Sequence, residues 1–293
     1  MGLHLIKTKC EIMLFLLEGK WPVLACPKFF NPWTLMKLIS GKKYIFAVSH
    51  LPALLGKPHY KGQEGIDAQA IQEARDMKKA GLAGILLENE NDHPYSVLAS
   101  IDQKSSMTIA AKAVKKNSLD FNLGVEFLIN DPKASLEVAF QSSCQFIRTD
   151  YWVDKMHREE YGDLEVDTNE FNAFKKSLGA DKVQVFADIQ VKYATMREKK
   201  SIATSAVEAF EAGASAVVVS GSQTGEMSDL RDLEKVRAAV GDKMIFVGSG
   251  FSIENARETL SLADGALVGT SLMENSILNY ERASRLMEVV HSV

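Results

Sequence analysis

Residues 244–273, MIFVGSGFSIENARETLSLADGALVGTSLM, decide the fold of this chain. The stretch predicts a strand, a Gly-Ser-Gly turn, a short helix, a second strand and a Gly-Thr-Ser turn. Gly248 and Gly250 would permit positive φ angles and close approach of backbone N–H groups, and a helix opening near Ser252 would add unpaired donors at its positive end. Such paired turns suit phosphate. The residues that we expect to bind it are Gly248, Ser249, Gly250, Gly269, Thr270 and Ser271.

Paired turns after strands seven and eight are the usual phosphate site of a (β/α)₈ barrel, so six earlier strands are expected. From residue 44 onward, short apolar runs alternate with amphipathic segments and glycine-rich joins, which is the pattern of repeated βαβ units. The predicted strands are residues 44–50, 84–89, 122–128, 145–150, 183–188, 215–220, 244–248 and 264–268. The predicted helices are residues 66–80, 103–117, 132–142, 168–178, 202–212, 230–240, 253–260 and 280–290.

The predicted fold class is therefore α/β, a (β/α)₈ TIM barrel of the phosphate-binding type formed by residues 44–293, a length typical of such barrels. Residues 1–43 form a predicted N-terminal extension, in which tryptophans and phenylalanines alternate with prolines and no regular periodicity emerges. Its aromatic groups would cover a barrel end or a subunit contact, so a homo-oligomer is possible. An open doubly wound sheet is disfavoured, because His50-Leu51-Pro52 follows the first strand where that fold carries Gly-x-Gly-x-x-Gly.

Composition excludes several classes of partner. The chain has 34 Lys and Arg against 38 Asp and Glu, a net charge of −4, and no basic cluster, which argues against nucleic acid and anionic membranes. Cys10, Cys26 and Cys144 lack metal-ligand spacing, so reduced thiols and a cytoplasmic location are expected. No apolar run approaches the length of a membrane span, and we expect no membrane insertion.

Alternation along the strands sorts the polar side chains by face, because successive residues of a strand point to opposite sides. The residues expected to face the helices include Ile85, Leu87, Leu123, Val125, Phe127, Ile129, Ile147, Thr149, Val185 and Ala187. The residues expected to face the barrel mouth are His50, Glu88, Glu126, Asn130, Arg148, Asp150 and Asp188. Lys192 follows in the fifth βα loop and would reach the same space.

Carboxylates that converge near cations perturb one another's pKa values, as proton transfer or metal binding requires. The candidate catalytic residues are Asp188, Glu126, Lys192, Glu88 and His50. The further candidates for substrate binding are Ser220, Thr224, Asn130 and Arg148. In a metal-dependent variant, Mg²⁺ would be held by Glu88, Glu126 and Asp188.

Each assignment has a structural alternative. Arg148 would form a purely structural ion pair with Asp150 or Glu126. His50 would orient the first loop without taking part in chemistry. Lys192 would neutralise a phosphate or carboxylate instead of forming a Schiff base.

Eight short motifs resemble those of the BtpA family, a group of barrel proteins, and they run through nearly the whole barrel. They are His50-Leu51-Pro52 with Gly56 and Pro58; Glu88-Asn89 with Asp92 and Pro94-Tyr95; Asn130-Asp131; Phe146-Ile147-Arg148; Asp188 to Ala194; Ser220 to Glu226; Val247 to Gly250; and Val268 to Leu272. The resemblance implies a phosphate-binding barrel. A cyanobacterial member of the family is associated with accumulation of photosystem I, but nothing in this composition is photosynthetic, so we do not extend that role to this chain.

The sequence is compatible with two alternative functions. In the first, the protein is an isomerase-like or lyase-like enzyme acting on a small phosphorylated metabolite such as a sugar phosphate or nucleotide-like compound. Asp188 and Glu126 would then act as acid and base, while Lys192 neutralises developing charge and the turn from Ser220 to Thr224 closes over the ligand. In the second, it is a non-catalytic assembly or stability factor.

Overall fold

The computed structural model describes residues 36–221 and 229–293. Within them, parallel strands close into one barrel in the order β1-β8-β7-β6-β5-β4-β3-β2. These strands are β1 (Tyr44–His50), β2 (Gly84–Glu88), β3 (Asn122–Glu126), β4 (Phe146–Thr149), β5 (Gln184–Ile189), β6 (Ala216–Val219), β7 (Ile245–Val247) and β8 (Gly265–Val268). The predicted (β/α)₈ TIM barrel is confirmed.

Helices surround the barrel and alternate with its strands. They are α1 (Gln63–Lys79), α2 (Ile101–Asn117), α3 (Pro132–Ser142), α4 (Thr168–Leu178), α5 (Ile202–Glu211), α6 (Leu230–Val240), α7 (Ala256–Leu262) and α8 (Tyr280–Val290). None of the helices in the described ranges is both long enough and apolar enough to cross a membrane.

Local sequence signals account for several helix ends. The Asp131 side chain accepts a hydrogen bond from the Ala134 backbone N–H at 2.9 Å, and Pro132 occupies the first helical position, as expected for an N-cap. At the end of α4, Gly179 has a φ of 72°, a left-handed conformation that glycine adopts without steric cost. Helix α7 begins at Ala256 rather than at the predicted residue 253.

Two layers of apolar side chains form the core. Outward-facing strand residues such as Ile85, Val125 and Val185 pack against the helices. The lower barrel interior is filled by four phenylalanines in mutual contact, with ring centroids 4.5 to 5.7 Å apart for the paired rings. These are Phe46, Phe146, Phe186 and Phe246. The four rings therefore fill the barrel interior at the end opposite the carboxyl ends of the strands.

The segment just before β1 belongs to this floor. Met36 is buried against the interior cluster, and its backbone carbonyl accepts a hydrogen bond from Gln184 Nε2 at 2.7 Å. The predicted domain boundary at residue 43 stays a prediction, since most of the extension, including Trp21, Phe29, Phe30 and Trp33, lies outside the described residues.

An antiparallel sheet that the sequence did not predict is built from the loops after β4 and β5. Its strands are Met156–Arg158, Gly162–Leu164 and Thr195–Met196. Buried residues of this sheet pack with Ile129, Tyr151 and Val191 in a small apolar cluster. The sheet thus lies on the side of the barrel where the strands end.

Candidate active site

A cavity of about 450 Å³ opens at the carboxyl ends of the strands. Most of the residues predicted to form a site line this cavity. They are His50, Glu88, Glu126, Arg148, Asp150, Asp188, Lys192, Ser220, Gly248, Ser249, Gly250, Gly269, Thr270 and Ser271. The two groups expected from the sequence, acidic side chains and small-residue turns, therefore meet in one cavity.

Strand periodicity explains why these side chains converge. Arg148 lies two residues beyond Phe146, and Asp188 lies two residues beyond Phe186, so each points to the same interior as its phenylalanine. The same spacing places Gly248 above Phe246. A charged layer is therefore stacked directly on the aromatic floor of the barrel.

Arg148 lies at the centre of the charged layer. Its Nε and Nη2 donate to the two carboxylate oxygens of Asp188 at 2.7 and 2.9 Å, and its Nη1 donates to Glu88 Oε1 at 3.0 Å. Glu126 Oε2 lies 3.7 Å from the same Nη1. Ser220 Oγ donates to Asp188 Oδ1 at 3.1 Å. The bidentate contact with Asp188 fixes the guanidinium plane. Of the two structural partners predicted for Arg148, Glu126 forms an ion pair, but Asp150 does not; Asp188 and Glu88 lie closer than either.

Two carboxyl groups of this layer hold their protons more tightly than usual. Burial, followed by the charge of Asp188, raises the pKa of Asp150 to about 7, although Arg148 opposes the shift. Burial also raises the pKa of Glu126 well above its ordinary value, again against the effect of Arg148. Glu126 Oε2 is buried without a hydrogen-bond partner. Asp150 can therefore gain or lose a proton near neutral pH.

The glycine-rich turn after β7 differs in detail from the expectation. Only Gly250 of the pair has a positive φ, 66°. Gly248 is required for space, because a Cβ there would lie 2.6 Å from Ser220 Oγ and 3.2 Å from Arg148 Nη2. The Ser252 backbone N–H was expected to be unpaired, but it donates to Asn255 Oδ1 at 3.0 Å, since α7 begins later than predicted.

Side chains connect the two turns to each other and to the fifth loop. Lys192 Nζ donates to Ser249 Oγ at 2.9 Å, which places a cation at the turn after β7. Ser271 Oγ donates to the Phe251 carbonyl at 2.8 Å and so joins the turn after β8 to the turn after β7. The position of Lys192 favours its alternative role of neutralising an anion over Schiff-base chemistry.

Two residues lie elsewhere than predicted, and a third lies outside the described part of the chain. Asn130 was expected at the barrel mouth, but it does not line the cavity; its Oδ1 accepts a hydrogen bond from Thr149 Oγ1 at 3.4 Å. Ile129 was expected to face the helices, but it lies in the cluster beneath the small sheet. Both residues follow the last residue of β3, Glu126, so strand alternation no longer applies to them. Thr224 lies outside the described residues.

Four polar residues that line the cavity were not predicted from the sequence: Glu90, Tyr95, Arg158 and Tyr193. Glu90 follows Glu88 by two residues, so alternation extended by one step would have found it. Burial, followed by the charge of Glu88, raises the pKa of Glu90. Arg158 comes from the small sheet, whose short polar strands carry no recognisable periodicity.

One group in the described chain has the composition and spacing of metal ligands. His50, Glu88 and Glu90 each offer a ligand atom, and these atoms lie within 4.8 Å of one another. The carboxylates predicted to hold Mg²⁺, Glu88, Glu126 and Asp188, surround the Arg148 guanidinium, and Mg²⁺ binding by these three residues stays a prediction.

The fold and the cavity define a (β/α)₈ TIM-barrel protein with a polar cavity at the carboxyl ends of its strands. The family model for the BtpA family matches residues 41–292. The chain belongs to this family.

Three relatives match at least 80% of this chain, and two of these matches also cover 98% of the relative's own length. An uncharacterized protein of Pyrococcus abyssi is 32% identical over 86% of this chain and 98% of its own. The putative sgc region protein SgcQ of Escherichia coli is 27% identical over 88% and 98%. The photosystem I biogenesis protein BtpA of Synechocystis is 28% identical over 80% and 82%.

Two solved structures of similar fold are synthases named for phosphorylated compounds. A 3-hexulose-6-phosphate synthase superposes with a TM-score of 0.58 at 15% identity, over 84% of this chain and 99% of its own. The (S)-3-O-geranylgeranylglyceryl phosphate synthase of Thermoplasma acidophilum, solved with sn-glycerol-1-phosphate, gives 0.58 at 18% identity, over 86% and 94%. At these identities the likeness establishes the fold alone.

Proposed function

We propose that this protein is an enzyme that acts on a small phosphorylated metabolite, such as a sugar phosphate or nucleotide-like compound, by acid/base isomerase or lyase chemistry. One observation carries the proposal. A single cavity brings together the turns after β7 and β8, with Lys192 beside Ser249, and a charged layer that contains Asp150. A cytoplasmic location is part of the same proposal.

The phosphate would bind at the turns. Gly250 has the left-handed backbone that lets successive N–H groups converge, and the link from Ser271 to Phe251 holds the two turns in register. Lys192 would neutralise phosphate charge from the neighbouring loop. Gly269 and Thr270 would contribute backbone donors from the turn after β8.

The remainder of the substrate would face the charged layer. Asp150 is the general acid or base in this proposal, because a pKa of about 7 suits proton transfer at neutral pH. Glu126 is the second acid/base group, since its buried Oε2 has no hydrogen-bond partner. Arg148 would stabilise negative charge that develops on the substrate, and Asp188 would position Arg148.

A thermal-shift screen against phosphorylated metabolites tests the proposal. A ligand at 100 times its Kd should stabilise the folded protein by about 2.7 kcal/mol, through mass action. Lys192→Met should weaken this stabilisation, while Lys182→Met, which changes an exposed lysine of the α4–β5 loop, should not. If no phosphorylated compound raises the melting temperature of the wild type, the proposal is wrong.

The role of the Synechocystis relative in photosystem I biogenesis favours a second candidate, a non-catalytic assembly factor. The two candidates differ in their need for Asp150 and Glu126. An assembly factor would keep its cellular activity in Asp150→Asn and Glu126→Gln variants that fold normally. An enzyme would lose activity in both.

A further inference from the structure

We infer that His50, Glu88 and Glu90 form a binding site for one divalent transition-metal ion, of the Mn²⁺ or Zn²⁺ class. The inference deepens the proposed function, because the ion would lie in the same cavity as the phosphate turns. Binding of the ion alone requires no phosphorylated ligand, so the two proposals can fail separately.

The barrel register places the three ligands side by side. His50 is the register partner of Glu88 across β1 and β2, and Glu90 follows Glu88 by two residues. The candidate ligand atoms lie within 4.8 Å of one another, close enough for one ion to contact all three. Imidazole nitrogen combined with carboxylate oxygens favours Mn²⁺, Zn²⁺ or a similar ion over Mg²⁺, which prefers oxygen ligands alone.

The charge of the cavity provides an independent argument. Five carboxyl groups line it among the described residues: Glu88, Glu90, Glu126, Asp150 and Asp188. The cations that line it in the same part of the chain are Arg148, Arg158 and Lys192. The carboxyl groups outnumber these cations by two, so the lining can accept a divalent ion.

A buried and unpartnered oxygen lies next to the proposed ligands. Glu126 is the register partner of Glu88 across β2 and β3, and its side chain is 2% exposed. Its Oε2 accepts no hydrogen bond and has Arg148 Nη1 only at 3.7 Å. Buried carboxylate oxygens are normally hydrogen-bonded or bound to metal, and this oxygen has only the long contact with Arg148.

The turn after β8 leaves room beside the imidazole. Gly269 has no side chain, and a Cβ at this position would lie 3.4 Å from His50 Nε2. A side chain at position 269 would therefore crowd the imidazole. Because position 269 has no side chain, a phosphate or hydroxyl of a ligand held at the turns could reach an ion bound by His50 and complete its coordination.

Titration of the metal-free protein with Mn²⁺, followed by electron paramagnetic resonance of the unbound ion, tests the site. We expect one Mn²⁺ per chain, with nitrogen coupling from His50 in the spin-echo modulation of the bound ion. The near-isosteric Glu90→Gln should weaken Mn²⁺ binding by at least about 10-fold. Removing a residue that only hydrogen-bonds to a metal ligand already costs about 10-fold in other metal sites, so removing a direct ligand should cost at least as much. The control Glu234→Gln, on the exposed face of α6, should bind as the wild type does.

The outcomes separate cleanly. Absence of stoichiometric Mn²⁺ binding, absence of nitrogen coupling in the wild type, or equal affinity in Glu90→Gln would each overturn the site. Because the coupling is measured on the wild type, the test does not depend on a variant that folds. Stabilisation by phosphorylated ligands without Mn²⁺ binding would reject only the metal site, whereas the reverse result would reject only the phosphate proposal.

Discussion

At the scale of single residues, Arg148 forms ion pairs with three carboxylates that line the cavity. It contacts Asp188, Glu88 and Glu126, all of which are buried. The attraction of these carboxylates raises the pKa of Arg148 well above its ordinary value, although burial opposes the charge. The guanidinium therefore stays charged, and it offsets the cost of keeping several carboxylates out of water.

Arg148→Met should destabilise the protein by about 3–5 kcal/mol, because it leaves buried carboxylates without their cation. The measurement is the free energy of unfolding in urea at pH 8. As a matched control, Arg231→Met removes an arginine whose side chain is 80% exposed, and it should change stability by no more than about 0.5 kcal/mol. Equal effects of the two variants would contradict the central role of Arg148.

Asp150 should make stability depend on pH. Its pKa rises from 3.8 to about 7 on folding, so the folded state binds more protons than the unfolded state between these values. The contribution of Asp150 to stability is therefore present at low pH and is lost as the pH rises through this window. Asp150→Asn cannot ionise and should escape the loss.

We expect Asp150→Asn to exceed the wild type in stability at pH 8 by about 1.4 kcal/mol or more, the energy of one pKa unit. This difference should shrink toward pH 4. Urea unfolding of both proteins across pH 4–8 provides the measurement. Parallel stability profiles for the two proteins would show that Asp150 does not titrate in this range.

At the scale of elements, strand periodicity predicted most of the site. Alternation put Glu88, Arg148 and Asp188 inside the barrel, because each continues the inward face of a strand whose outward face is apolar. It failed at Asn130, which follows the end of β3, where the backbone no longer alternates. The small sheet over the mouth escaped prediction because its three strands have at most three residues each, too few to show a period.

Glycine within the strands shapes the barrel interior and yields a further prediction. A Cβ at Gly124 of β3 would lie 2.3 to 2.6 Å from atoms of the Phe146 ring. That ring is wedged between Phe46 and Phe186, with centroids 5.1 and 4.5 Å away, so it has little room to move. Gly124→Ala should therefore cost about 1–3 kcal/mol or more, by overpacking.

The control for this prediction is Gly65→Ala in α1, where nothing lies within 4 Å of the added Cβ. Alanine in a helix loses less conformational entropy on folding than glycine, so this variant should gain about 0.5–1 kcal/mol. Thermal unfolding of both variants measures the contrast. Unchanged or increased stability of Gly124→Ala would show that the Phe146 ring does not require a glycine at this position.

At the scale of the whole molecule, the barrel separates an apolar floor from a charged mouth. The four phenylalanines exclude water from one half of the interior, and the charged layer lies directly on top of them. This contact with apolar rings contributes to the burial that raises the pKa values of Asp150 and Glu126. Packing of the four phenylalanines therefore affects the pKa values at the barrel mouth. Residues that pack against the opposite side of these rings help to hold them in place.

Met36 is one of these residues, although it precedes the predicted start of the barrel domain at residue 44. It is 6% exposed and packs with the interior cluster. Met36→Ala should cost about 2–5 kcal/mol in unfolding free energy, the range for truncating a buried methionine. Ile39→Ala, at a position that is 48% exposed, should have little effect and serves as the control. If Met36→Ala proves as neutral as Ile39→Ala, residues 36–43 belong to the extension and the barrel domain begins at β1.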